Sequence, residues 1–108
     1  MAMPPSALRS PFDPQRREGE RARVMMIASI RERGTTAHNA VINDLSRQGC
    51  QVSNIFLRAG KPVWVKFGQL APIEGMVMWA RSDQCGIRFN QALHPAVLDH
   101  VAAAARVR

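Results

Sequence analysis

Two short groups of residues carry side chains that are suited to binding a phosphorylated ligand. They are three arginines, Arg16, Arg17 and Arg21, and an acid, a hydroxyl and a glycine, Asp44, Ser46 and Gly49. A guanidinium group can fork onto phosphate or onto the Hoogsteen edge of guanine, whereas a carboxylate accepts from the amine edge of that base. The second group has a simpler interpretation, because Asp, Ser and Gly also form turns. Which interpretation holds depends on whether the fold brings the two groups together.

The overall charge favours a partner that carries phosphates. The chain has 15 Lys and Arg against 8 Asp and Glu, a formal net charge of +7, and 13 of the basic residues are arginine. Arginine is always charged and matches phosphate geometry, so the favoured ligand classes are nucleic acid, a nucleotide and a membrane surface. A length of 108 residues leaves room for one domain with one modest core.

Composition argues against catalysis, metal binding and membrane insertion. Cys50 and Cys85 have no metal-type spacing, although a single disulfide between them stays open. The three histidines are scattered, and no nucleophile–base pair or phosphate-cradling glycine loop is present. The longest apolar run, VMMIA, is too short to span a bilayer, and the Pro-rich start is no signal peptide. We therefore expect a cytoplasmic protein that is not an enzyme and holds no metal and no cofactor.

The apolar pattern predicts six short strands followed by one helix. From Ala22 onward apolar and polar residues alternate, which is the period of a half-buried strand, and further short strands bounded by turn residues extend to about residue 89. Leu93, Val97, Val101 and Ala105 recur every four residues, which predicts a helix over about residues 92–106. The fold class is therefore mostly β, a small six-stranded antiparallel β-barrel capped by a C-terminal α-helix.

The ends of the chain differ from this pattern. Residues 1–15 contain four prolines and no apolar block, which predicts a flexible Pro-rich N-terminal arm in front of a folded domain at 16–108. Some apolar residues within the domain have only structural interpretations. Met25, Met26, Met76 and Met78 are expected to fill the core, and Trp64 to be a half-exposed ring over the helix.

The first hairpin brings the two groups of polar residues together. If its strands turn near Arg33 and Gly34, the numbers of paired residues sum to about 67, which puts Arg21 near Ser46. The arginines then lie beside Asp44 at one end of the sheet. A phosphate group alone would not bind a carboxylate, because both are negatively charged. The combination of arginines with Asp44 therefore favours a guanine nucleotide, whose base can donate to the carboxylate.

These residues resemble the paired signature of the PilZ domain, a bacterial receptor module for cyclic di-GMP. The family pattern is RxxxR on an N-terminal arm, then (D/N)xSxxG between two strands of a six-stranded barrel, and both halves are present here in order. The later GMVMWARSDQCGIRF resembles the family's closing hairpin, with Trp79 in the expected place. The likeness covers residues 15 to 100, nearly the whole folded part.

The resemblance implies that the N-terminal arginines bind a ligand and that no reaction is catalysed. The segment would be mobile when empty and would fold over cyclic di-GMP, with Arg17 and Arg21 holding phosphates and stacking on guanine. Arg16, directly before RxxxR, resembles the subclass that takes two stacked ligand molecules instead of one. The bound state would then pass a second-messenger signal to an unidentified downstream protein.

The resemblance also assigns roles on the strands. Asp44 and Ser46 would hold a guanine and its phosphate, and Gly49 would leave room for the ligand. Trp79 either lines the same surface or belongs to the core.

An alternative function is a small basic β-barrel that binds RNA or single-stranded DNA, which suits the charge and the fold. Such surfaces stack bases on several exposed aromatic rings, and this chain has only 4 Phe and 2 Trp, mostly at apparent core positions. Its arginines also concentrate on one arm instead of following a groove. Both features favour a compact nucleotide ligand over a strand.

Overall fold

The computed structural model describes residues 22–105 of the chain. Within them six strands form a closed antiparallel barrel in the order β1-β2-β3-β6-β5-β4, with β4 paired to β1. The strands are β1 (Ala22–Glu32), β2 (His38–Leu45), β3 (Gly49–Ser53), β4 (Pro62–Lys66), β5 (Ile73–Arg81) and β6 (Gln84–Phe89). One helix, α1 (Pro95–Ala105), follows β6. This architecture confirms the predicted fold class, whereas the predicted N-terminal arm lies outside the described residues.

The core fills the inside of the barrel because every strand alternates inward apolar and outward side chains. The largest fully buried side chains are Phe67, Ile30, Ile42, Leu45, Ile87, Val52, Val63, Val65, Val77, Cys50 and Cys85. Burying each large apolar side chain of this kind contributes about 1.5–3 kcal/mol to the stability of the fold. The stable barrel fixes the positions of the residues on its outer face.

The methionine prediction is wrong for three of the four residues. Met25, Met76 and Met78 are 64%, 40% and 44% exposed, because they occupy outward positions next to the buried Val24 and Val77. Met26 is partly buried and packs against the core as expected. The alternation that identified the strands also determines these positions, and it outweighs the apolar character of methionine.

Helix α1 begins at Pro95, later than the predicted residue 92, and Val97 and Val101 of the predicted apolar stripe face the core. Pro95 is its first residue, and the Nδ1 atom of His94 accepts a hydrogen bond of 3.0 Å from the Ala96 amide. His94 thus caps the first turn, where a backbone amide would otherwise lack a partner. Leu98, Val101 and Ala102 are buried, the partly buried Val97 also packs against the core, and the helix contacts β1. Leu93 of the predicted stripe is buried but precedes the helix.

Two strand boundaries differ from the prediction for a backbone reason. Asn54 has φ 65°, a left-handed conformation that ends β3 at Ser53, so residues 54–57 are not strand. Ser82, with φ 54°, makes the turn between β5 and β6, and β6 begins at Gln84.

Candidate ligand-binding site

The register of the first hairpin confirms the geometry that the sequence predicted. Ala22 pairs with Leu45, and Arg23 pairs with Asp44. The chain therefore enters the barrel beside the acid of the second polar group. Arg16, Arg17 and Arg21 immediately precede this point in the sequence and lie outside the described residues.

Asp44 belongs to a row of residues that crosses four neighbouring strands on the outer face. The outer row consists of Asp44 on β2, Gln51 on β3, Gly86 on β6 and Trp79 on β5, each paired in register with the next. Its members point outward because the residues adjacent to them along the strands, Leu45, Cys50 and Ile87, are buried in the core. A carboxylate, an amide and an indole therefore share one wall of the barrel.

Register shifts of the β-bulge type flank this row. They fall between Ile42 and Asp44 on β2, and between Val77 and Trp79 on β5. A third lies between Arg23 and Met26 on β1. A bulge re-aims the side chain beside it and increases the local twist, and bulges are common next to binding sites. The concentration of shifts at this row indicates that the wall is shaped locally around Asp44 and Trp79.

Trp79 lies on the outer wall and not in the core, and its contact with a ligand stays a prediction. Its half-buried ring covers Gly86, since a Cβ placed on that glycine would meet ring atoms Cε2 and Cδ1 at 2.6 and 2.8 Å. A flat ring on a strand glycine occupies the space that a side chain would fill, and it is held in one orientation. The indole is therefore fixed in the same row as Asp44.

Ser46 and Gly49 form the turn between β2 and β3. The Ser46 amide donates to the Gly49 carbonyl at 2.9 Å, and the Ser46 Oγ accepts from the Gln48 amide at 3.1 Å. Ser46 is only 3% exposed. The turn interpretation of the motif therefore holds for Ser46, whose hydroxyl first serves the loop that stands beside Asp44.

The backbone conformation of Gly49, the first residue of β3, does not require glycine. The described glycines with positive φ are Gly34, Gly60 and Gly68, so Gly49 has a conformation that other residues adopt. It is buried and pairs with Arg88 on β6. The room for a ligand that the second interpretation of the motif assigns to Gly49 stays a prediction.

Two residues of this wall were not identified from the sequence. Gln51 lies between Asp44 and Gly86 in the outer row, and the exposed Arg88 lies two residues beyond Gly86 along β6. The period-two alternation does indicate that Gln51 and Arg88 face outward, because each is adjacent to a core residue on its own strand. Their proximity to Asp44 depends on the pairing of β3 with β6. These two strands are far apart in the sequence, so the sequence pattern does not predict that they pair.

The Ser46–Gly49 turn is attached to the segment that leads into α1. The Arg47 Nε donates to the Leu93 carbonyl at 2.7 Å, and the Leu93 amide donates to the Arg47 carbonyl at 2.7 Å. The Phe89 amide also donates to the Gln48 carbonyl at 2.8 Å. These three hydrogen bonds connect the turn to the residues that precede α1.

The described residues offer little for catalysis. Cys50 and Cys85 are free and buried, and burial raises the pKa of both thiols, so neither is a nucleophile at neutral pH. Between residues 22 and 105, no three His, Cys, Asp or Glu side chains are grouped to hold a metal ion. Over the same range no helix has the length and apolar character needed to cross a membrane.

Comparison with known proteins agrees with this geometry. A model of the PilZ domain family matches residues 15–104, a range that includes the arginines before β1, the whole barrel and most of α1. No curated protein matches the chain.

Proposed function

Because this chain belongs to the PilZ domain family, a family of cyclic di-GMP receptors, we propose that it is a non-catalytic cytoplasmic receptor for cyclic di-GMP. One observation supports the proposal in addition to membership of the family. The pairing of Arg23 with Asp44 brings the start of β1, directly after the arginine motif, to the carboxylate of the strand motif. In this proposal both halves of the guanine-binding signature meet on one wall of the barrel.

The outer row supplies the guanine contacts in this proposal. Asp44 accepts from the Watson–Crick edge of a guanine, and the Trp79 ring offers an apolar surface for the ligand. Gln51, between them, has both a donor and an acceptor for the same base. Ser46 and Gly49 contribute a rigid turn and space, so that a phosphate can approach the backbone.

The arginines complete the site by enclosing the ligand. Arg17 and Arg21 hold phosphates and stack on guanine, and the segment becomes ordered as these contacts form. Ordering costs about 1–2 kcal/mol of backbone entropy per residue, which charge-assisted bonds to phosphate offset. Arg16 contacts the second of two stacked ligand molecules.

The signal leaves the site through the turn between β2 and β3. A ligand seated on Asp44 lies beside the Ser46–Gly49 turn, and the paired hydrogen bonds between Arg47 and Leu93 connect that turn to the residues before α1. The exposed face of α1 is then the surface whose position reports occupancy to a downstream protein.

Calorimetric titration of the full chain with cyclic di-GMP tests the proposal. Asp44→Ala should weaken binding by about 30-fold or more, because loss of a charged partner to an enclosed group costs about 2 kcal/mol. Asp99→Ala removes the same charge from an exposed position on α1 and serves as the matched control. GTP and a short single-stranded RNA should bind far more weakly. Wild-type affinity in the Asp44 variant, or tighter binding of the RNA, would reject the proposed site.

A further inference from the structure

The wall opposite the outer row carries a second cluster of basic residues. Trp64 on β4 pairs with Arg31 on β1, and the β1–β4 seam lies across the barrel from the β3–β6 seam. The guanidinium carbons of Arg31 and Arg33 stand 4.8 and 5.8 Å from the centre of the Trp64 ring. The ring was expected over the helix, and the structure places it beneath two arginines instead.

A cleft opens beside this ring. The Trp64 cleft, about 480 Å³ in volume, is lined by Ser29, Arg31, Ala37, Trp64, Lys66 and Pro72. Its walls are apolar at Ala37 and Pro72, and its rim is cationic at Arg31 and Lys66. The volume falls in the range of about 300–1,000 Å³ that is usual for sites taking a small group or a side chain.

Among residues 22–105, none of the basic residues around the cleft takes part in an ion pair. The ion pair in that part of the chain joins Arg58 to Glu32 at 3.4 Å, and it does not involve the cleft cations. Two guanidinium groups converging on one ring repel each other, so an anion bound between them would relieve an unfavourable interaction. Glu74 pairs with Trp64 on its other side but lines a neighbouring groove.

We propose that the Trp64 cleft, with Arg33 beside it, is a docking site for an acidic peptide segment of another protein. Carboxylates of that segment contact Arg31, Arg33 and Lys66, and an adjacent apolar side chain enters between Trp64 and Pro72. A nucleic-acid strand suits the cleft less well, because the ring face is taken up by guanidinium groups and three cations do not form a continuous groove. This site is independent of the cyclic di-GMP wall.

The test uses the full chain with Trp79→Phe, so that Trp64 is the one remaining tryptophan and its fluorescence reports the cleft. The probes are the peptide Ac-Glu-Asp-Leu-Pro-Asp-Glu-amide, its analogue with Gln and Asn in place of the acids, and a short oligothymidylate. The acidic peptide should bind at least about tenfold more tightly than the amide analogue, a difference of about 1.4 kcal/mol. Its affinity should fall with rising salt.

Charge variants locate the binding. Arg31→Ala and Lys66→Ala should each weaken binding of the acidic peptide by about two- to fivefold, as expected for loss of one charge pair at a partly exposed site. Lys66→Ala does so without removing a group that contacts the Trp64 ring. Arg81→Ala is the matched control, since this exposed arginine lies about 23 Å further along β5 than Glu74. Equal affinity for the amide analogue, an equal loss in the Arg81 variant, or no binding at about 1 mM peptide overturns the proposal. Tighter binding of the oligothymidylate that is lost in the Arg31 variant would identify a nucleic-acid surface instead.

Discussion

The contact between Trp79 and Gly86 gives the sharpest prediction about the ligand wall, because one added methyl group tests it. In Gly86→Ala the new Cβ would stand 2.6 and 2.8 Å from ring atoms Cε2 and Cδ1. Carbon atoms pack at about 3.5–4.0 Å, so the ring has to move by about 1 Å. The backbone itself accepts alanine, since Gly86 is not among the described glycines with positive φ.

Two opposing terms set the expected change in stability. Replacing a strand glycine by alanine normally favours folding by about 0.5–1 kcal/mol, because the unfolded chain loses freedom. Forcing a packed ring out of place costs about 1–3 kcal/mol. Gly86→Ala should therefore lower the free energy of unfolding by about 0.5–2 kcal/mol, and cyclic di-GMP affinity should fall with it because the indole is displaced.

A double-mutant cycle with Trp79→Ala separates these terms. Without the ring, Gly86→Ala should be neutral or should stabilise by about 0.5–1 kcal/mol, giving a coupling of about 1–3 kcal/mol between the two sites. Urea unfolding of the four proteins measures the coupling, and Trp79 fluorescence in a Trp64→Phe background measures the ring's displacement. Gly75→Ala is the comparison variant, since its Cβ would meet the Arg88 carbonyl oxygen at 2.5 Å and should destabilise without moving Trp79. A coupling near zero, or unchanged Trp79 fluorescence in Gly86→Ala, would refute the ring-on-glycine arrangement.

Three further predictions concern the ligand, the connection to α1 and the buried thiols. Arg16→Ala should lower the calorimetric stoichiometry from two ligands per chain towards one with binding retained, and a wild-type value of one would contradict its role. Arg47→Ala removes a 2.7 Å bond to the Leu93 carbonyl, so it should destabilise by about 1 kcal/mol and abolish any ligand-induced change in amide exchange at the first turn of α1; α1 exchange that still responds to ligand would contradict it. Burial raises the pKa of the Cys50 thiol above its ordinary 9.0, so the folded state keeps a proton that the unfolded state loses. The contribution of the Cys50 thiol to the free energy of unfolding is complete below pH 9.0 and is lost above it. Urea unfolding at several pH values should show the free energy of unfolding falling by up to about 1.4 kcal/mol per pH unit in wild type and less steeply in Cys50→Ala. Parallel pH profiles for the two proteins would contradict this prediction.

Local patterns in the sequence were sufficient for the fold class and for the register of the first hairpin. Alternation along β1 and β2, together with a turn at Gly34, determined which residues face inward and which residues pair, because side-chain period and hairpin register are properties of adjacent residues. The pairing of Arg23 with Asp44 agrees with that predicted register, whereas Arg16, Arg17 and Arg21 lie outside the described residues. The turn interpretation of the strand motif holds for Ser46, and the ligand contacts assigned to Asp44, Ser46 and Gly49 stay predictions.

Only the tertiary structure could determine the contacts that depend on closure of the barrel and on the register shifts in its strands. The pairing of β1 with β4 brings Arg31 beside Trp64, and the pairing of β3 with β6 brings Gln51 beside Gly86, although nothing in either strand's own pattern specifies its partner. The register shift before Trp79 turns its ring onto Gly86, where alternation alone left the ring's direction open. Arg47 reaches Leu93 across 46 residues of chain. Each of these contacts joins groups whose separation in sequence carries no local signal, because a strand of period two fits many neighbours and only the packed core selects among them.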